Sequence, residues 1–110
     1  MATLVATTPT RAGVATAGAA VAASDKITAA VLGSRGCILE INNGGGVVDN
    51  MTISDASVTP SGAAAAALAP SVANGASKVF EITPKMADAN GEVTITHSSI
   101  ATVTYKLYPR

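Results

Sequence analysis

The chain has 110 residues and a mass of 10.8 kDa, which is room for one domain that buries somewhat over half of the surface its unfolded chain exposes. Seven basic and seven acidic residues give a formal net charge of zero, and charged side chains make up only 13% of the chain, so no nucleic-acid-binding surface is expected. The single cysteine excludes an intramolecular disulfide and a cysteine-based zinc knuckle.

Eleven Val and seven Ile against five Leu favour strands, because β-branched side chains fit a pleated surface and lose rotamer freedom in a helix. Phe80, Tyr105 and Tyr108 are the only aromatic residues, and alanine supplies much of the 48% hydrophobic fraction. A thin core is expected, with stability completed by contacts to other chains. Cys37 reads as a small core residue rather than a reactive thiol.

Taken in order, residues 1–23 are Ala, Thr, Gly and Val with one charge, Arg11, and no strong period. The composition predicts an extended arm over residues 1–12 that orders against a partner, then a domain over residues 13–110 whose first edge strand lies around Val14 and Val21. The amino-terminal stretch lacks the basic and apolar segments of a signal peptide, and Pro9 and Arg11 interrupt it before any membrane-length run. The expectation is a chain made and used without secretion or membrane insertion.

Ser24, Asp25 and Lys26 punctuate the chain before Ile27, and Gly33, Ser34, Arg35 and Gly36 form a turn. Residues 35–54, RGCILEINNGGGVVDNMTIS, place Cys37, Leu39 and Ile41 on one parity, then Met51 and Ile53 on another alternating run beyond the glycines. This predicts a central hairpin turning at Gly44, Gly45 and Gly46.

The alanine run at residues 63–67 has high helix propensity, but Pro60, Gly62 and Pro70 bracket it closely and no polar face accompanies it. An extended segment is predicted there. Farther on, the Asn74-Gly75 turn precedes a strand in which Phe80 and Ile82 point inward, ended by Pro84. A turn at residues 88–91 leads into Val93, Ile95 and His97 on one parity. Ser98 and Ser99 make the next corner, and Val103, Tyr105 and Leu107 alternate in what reads as the second arm of a closing hairpin.

Turn signals recur about every 8–12 residues, which predicts an all-β protein, a single small β-sandwich or jelly-roll-like domain with an extended N-terminal arm. Leu39, Ile41, Phe80, Ile82, Val93, Ile95, Val103 and Tyr105 are its expected core.

Candidate chemistry is sparse. His97 is the only histidine, so a catalytic dyad or triad must use it, yet its neighbours Ser98 and Ser99 lack a nucleophile-elbow context. It reads as a satisfied or rim histidine at a strand end. Gly44, Gly45 and Gly46 precede Val47-Val48-Asp49 rather than the Lys-Ser/Thr of a phosphate loop, so they read as a turn. Asp25, Asp49, Asp55 and Asp88 lack the close spacing of a calcium loop and read as turn caps. Asn50-Met51-Thr52 fits a glycosylation sequon but has no secretory context. No catalytic residue, cofactor site or metal site is assigned.

The order of MATLVATTPTRAGV, SDKI, GCILEINNGGG, VANGASKVFEITP and DANGEVTITHSSIATVTYKL resembles that of small tailed-bacteriophage virion proteins. The resemblance spans nearly the whole chain and rests on order and spacing rather than on a signature residue. The alanine run at residues 63–67 departs from it, since branched residues are usual there. What the resemblance implies is a capsid decoration (cement) protein on the outer shell, made in the host cytoplasm. Its partners would be the major capsid protein and further copies of itself, with a trimer as one candidate, and neither nucleic acid nor membrane. The alternatives are a head-tail connector or tail component and, from another class, a small sugar-binding or adhesive β-module, for which two tyrosines are a poor supply of aromatic platforms.

Overall fold

The computed structural model describes residues 2–15, 18–58 and 60–110. Its strands are β1 (Ala2–Thr3), β2 (Ala19–Ala20), β3 (Ser24–Ile27), β4 (Cys37–Asn43), β5 (Asp49–Ile53), β6 (Ser71–Val72), β7 (Ser77–Ile82), β8 (Val93–His97) and β9 (Val103–Pro109). They form a five-stranded sheet in the order β1-β3-β8-β5-β6 and a four-stranded sheet in the order β2-β9-β4-β7, arranged as a sandwich. One helical turn, α1 (Ala29–Leu32), leads to β4, and a 3₁₀ turn at Pro84–Met86 follows β7.

Strand alternation selects the core. Buried and less buried residues alternate strictly along β4 and along β8, so Cys37, Leu39 and Ile41 of the four-stranded sheet face Val93, Ile95 and the rest of the five-stranded sheet. Ile27, Met51, Ile53, Val72, Ile82, Val103, Tyr105 and Leu107 extend this interior, with Leu4, Val21, Leu32 and Met86 also buried. The thin aromatic supply leaves the filling to branched aliphatic side chains, which suit a pleated inner face. Of the expected core, Leu39, Ile41, Ile82, Val93, Ile95, Val103 and Tyr105 are buried. Phe80 is only half-buried. It points inward against the core, but β7 ends its sheet, so among the described residues a strand covers only its β4 side, where Leu39 is its cross-strand partner.

The neighbours of the strands depart from expectation. β4 and β5 do not make a hairpin: β4 lies between β9 and β7, while β5 lies between β8 and β6 in the opposite sheet. The glycines therefore carry the chain across the sandwich. Likewise β8 and β9 are not a hairpin, because residues 98–102 cross from one sheet to the other. Both strands of each expected hairpin bury one face, and an arch between packed sheets satisfies that alternation as well as side-by-side pairing does.

Two smaller readings change as well. Ser24, Asp25 and Lys26 are strand rather than punctuation, paired with Thr96, Ile95 and Thr94. The segment expected as a free arm divides: β1 pairs in parallel with Asp25 and Lys26, Leu4 is buried, and the Thr7 amide donates to the Leu107 carbonyl at 2.7 Å, whereas residues 8–12 are exposed. Met1 lies outside the described residues. Of the edge strand expected from Val14 to Val21, Ala19–Ala20 is present as β2, paired with Tyr105 and Thr104, while Thr16 and Ala17 lie outside the description. Residues 63–67 are extended, as the flanking prolines require, with isolated bridges from Ala64 to Val58 and from Leu68 to Ile53.

Candidate functional site

The end of the sandwich that carries the 44–48, 73–76 and 98–102 loops is built around two buried polar anchors. Asn43, the last residue of β4, is 2% exposed. Its amide group donates to the Val47 carbonyl at 2.8 Å and the Val72 carbonyl at 2.9 Å, while its side-chain oxygen accepts from the Gly45 amide at 3.0 Å. One side chain thus fixes the glycine arch to the β6–β7 turn, and Asn74 adds a bond to the Gly46 amide. Gly45 is required by close approach, since a Cβ there would lie 2.2 Å from the Ala101 carbonyl oxygen. That contact joins the glycine arch to the 98–102 arch.

The second anchor is Asp49 with His97. Asp49 opens β5 and His97 closes β8, and both side chains are essentially inaccessible. The His97 ring is bonded through Nδ1 to Asp49 Oδ2 at 2.7 Å, and Asp49 Oδ1 accepts from the Ser98 and Ser99 amides at 3.0 and 3.2 Å. Ser98 Oγ accepts the Asn50 amide at 2.8 Å. The histidine is satisfied, as expected, but at the interior of the joint rather than its rim. Asp49 caps a turn nearly fifty residues away instead of its own. The signal was present in the sequence: both residues lie on the buried parity of their strands, and buried polar groups require partners.

The other candidates stay apart. Asp55 accepts from the Ser57 hydroxyl and, secondarily, its amide, which hold its carboxyl below the ordinary range, and Asp88 accepts from the Asn90 and Glu92 amides. Both are turn caps. Asp25 is fully buried within β3, where one oxygen accepts from the Ala22 amide. Among the described residues no group of three or more His, Cys, Asp or Glu side chains is placed to hold a metal. Asn50 and Thr52 of the sequon are both exposed on β5.

Cys37 is fully buried and burial pushes its thiol up to about 11. An aromatic disulfide reagent at pH 8 is expected to leave it unlabelled in the folded protein and to react after urea unfolding. Rapid labelling without urea would show that β4 opens. Because the folded thiol holds its proton longer than the unfolded one, its stabilising contribution is complete below about 9 and is lost as pH rises toward about 11.

With these polar groups turned inward, the loop end shows apolar side chains to solvent: Val47, Val48 and Ile100 are each about half exposed. Val79 on β7, at 63%, adds an exposed valine on a sheet edge. Comparisons with protein-family models, with curated proteins and with solved structures return no match for this chain.

Proposed function

We propose that this chain is a structural virion protein that decorates and stabilises the outer surface of a bacteriophage capsid by bridging capsid subunits, with no catalytic role. The observation that carries the reading is the loop end itself, where Asn43, Asp49 and His97 are spent on holding three loops together while Val47, Val48 and Ile100 are exposed to solvent. A weakly charged tip that exposes several apolar side chains suits attachment to a repeating protein surface. The order of segments, which resembles that of small phage virion proteins, supports the same reading, as does a two-sheet sandwich in which β4 to β5 and β8 to β9 cross between sheets. The partners are the major capsid protein and further copies of this chain on the capsid exterior, after synthesis in the host cytoplasm.

Attachment then depends on apolar burial and shape more than on charge, whose reach is about 8 Å at physiological salt. Binding to the assembled shell stabilises it by mass action, the more so when each copy touches several subunits. Decorated particles are expected to disrupt at a higher temperature than bare ones, and to keep the protein in several hundred millimolar salt. The check is a paired thermal-release assay at low and high salt. Equal disruption temperatures would reject the cement role, and electron microscopy showing a single ring at one vertex would replace decoration with a connector.

A further inference from the structure

We propose that the free edge of β7 pairs with β7 of a second copy, antiparallel about a two-fold axis at Val79, joining two four-stranded sheets into one. This gives the self-association in the capsid reading a place in the fold, while the edge geometry stands independently of the capsid.

The argument begins with edges. β1, β2 and β6 end their sheets with two residues each, whereas β7 offers six, Ser77–Ile82, with neither proline nor bulge, and among the described residues no strand pairs with its outer side. Such an edge is a template for another strand. The Asn43 amide donates to the Ala76 carbonyl, one pair beyond the β4–β7 register. Antiparallel bonding alternates, so Lys78, Phe80 and Ile82 bond inward to β4, and the amides and carbonyls of Ser77, Val79 and Glu81 face outward.

A two-fold axis perpendicular to the sheet pairs only residues of equal parity, which leaves few registers. Centring on Lys78 sets like charges directly opposite, and centring on Phe80 sets each Glu81 carboxylate against a valine. Centring on Val79 pairs the two most exposed apolar side chains of the strand with each other. It also lays the Lys78 stem of one copy over the exposed part of the Phe80 ring of the other, where the ammonium meets an aromatic face. Small Ser77 then lies opposite Glu81 of the second copy, leaving room for the Arg110 that pairs with that carboxylate. About six main-chain hydrogen bonds form. An edge this short buries less than the roughly 1,000 Å² of a stable interface, so the isolated pair is weak and is favoured where copies are crowded on a surface.

The test uses the isolated full chain. Sedimentation velocity over a wide concentration series is expected to show a reversible monomer–dimer equilibrium. Val79→Pro removes an outward amide from an edge position that tolerates proline, and should weaken association by about tenfold or more while the dilute protein melts as before. Under oxidised glutathione, Val79→Cys should cross-link covalently at least several-fold faster than Ser77→Cys or Glu81→Cys, whose equivalent atoms lie roughly 13 Å apart along the strands in this register. If Val79→Pro does not fold, the cysteine series decides alone. A monomer at every concentration, a trimer, unchanged association of folded Val79→Pro, or equal cross-linking at the three positions would each overturn the proposal. None of these results bears on capsid attachment, which the thermal-release assay reads separately.

Discussion

An Asp49→Ala variant is expected to lose about 3–5 kcal/mol of stability, the range for removing one partner of a buried polar or ionic pair. The loss is large because three donors depend on this one carboxylate: the His97 ring nitrogen and the amides of Ser98 and Ser99. Each donor left without an acceptor costs about 1–3 kcal/mol where water cannot replace it. Total stability for a domain this size is about 5–15 kcal/mol, so the variant would be marginal at room temperature. Urea unfolding of the variant beside the parent measures the difference. His97→Leu alone strands only the carboxylate, and the double variant should cost less than the sum of the singles because the two positions share one bond. A loss below about 1 kcal/mol would mean that water substitutes for the carboxylate and that the joint does not hold the arches. The result also bears on function, since the 98–102 loop that exposes Ile100 is anchored there.

The second large effect is expected at Leu39. It lies in the middle of β4 with Phe80 on one side and Leu107 on the other, and it is fully inaccessible. Leu39→Ala should cost about 3–5 kcal/mol through lost transfer energy and the cavity left behind, because strands on both sides restrict collapse. Phe80 provides the contrast. Although it is the larger side chain, it is half-buried on an edge strand, and Phe80→Ala should cost about 2 kcal/mol, roughly half the core value. The measurement is paired denaturant titration. If Phe80→Ala proved as costly as Leu39→Ala, the ring would be more enclosed than β7's edge position allows, as it would be within a tight β7 dimer. Repeating the Phe80 titration at low and high protein concentration separates those two causes.

Cys37, Leu39 and Ile41, or Val93 and Ile95, needed no tertiary information to be placed in the core, since a period of two with β-branched residues determines which face of a strand is apolar. The extended state of residues 63–67 was equally legible, because Pro60, Gly62 and Pro70 leave no room for the costly nucleus of a helix. Turn chemistry located the corners at Asn74-Gly75 and at residues 88–91.

Which strand lies beside which was decided only in three dimensions. Alternation reports the face of a strand and is silent about its neighbour, so the runs on either side of the glycines fit a hairpin and an inter-sheet arch equally well. The arch is favoured by the Asn43 side chain, which ties the glycine turn to the distant Val72 carbonyl, and by a Gly45 that lets Ala101 approach. The same limit hid the Asp49–His97 joint, the pairing of Ala2 and Thr3 with β3, and the outer position that leaves Phe80 only partly buried. Each depends on residues tens of positions apart meeting across a packed interior. Periodicity marks which strand faces turn inward, and only the packing of distant segments sets what those faces meet.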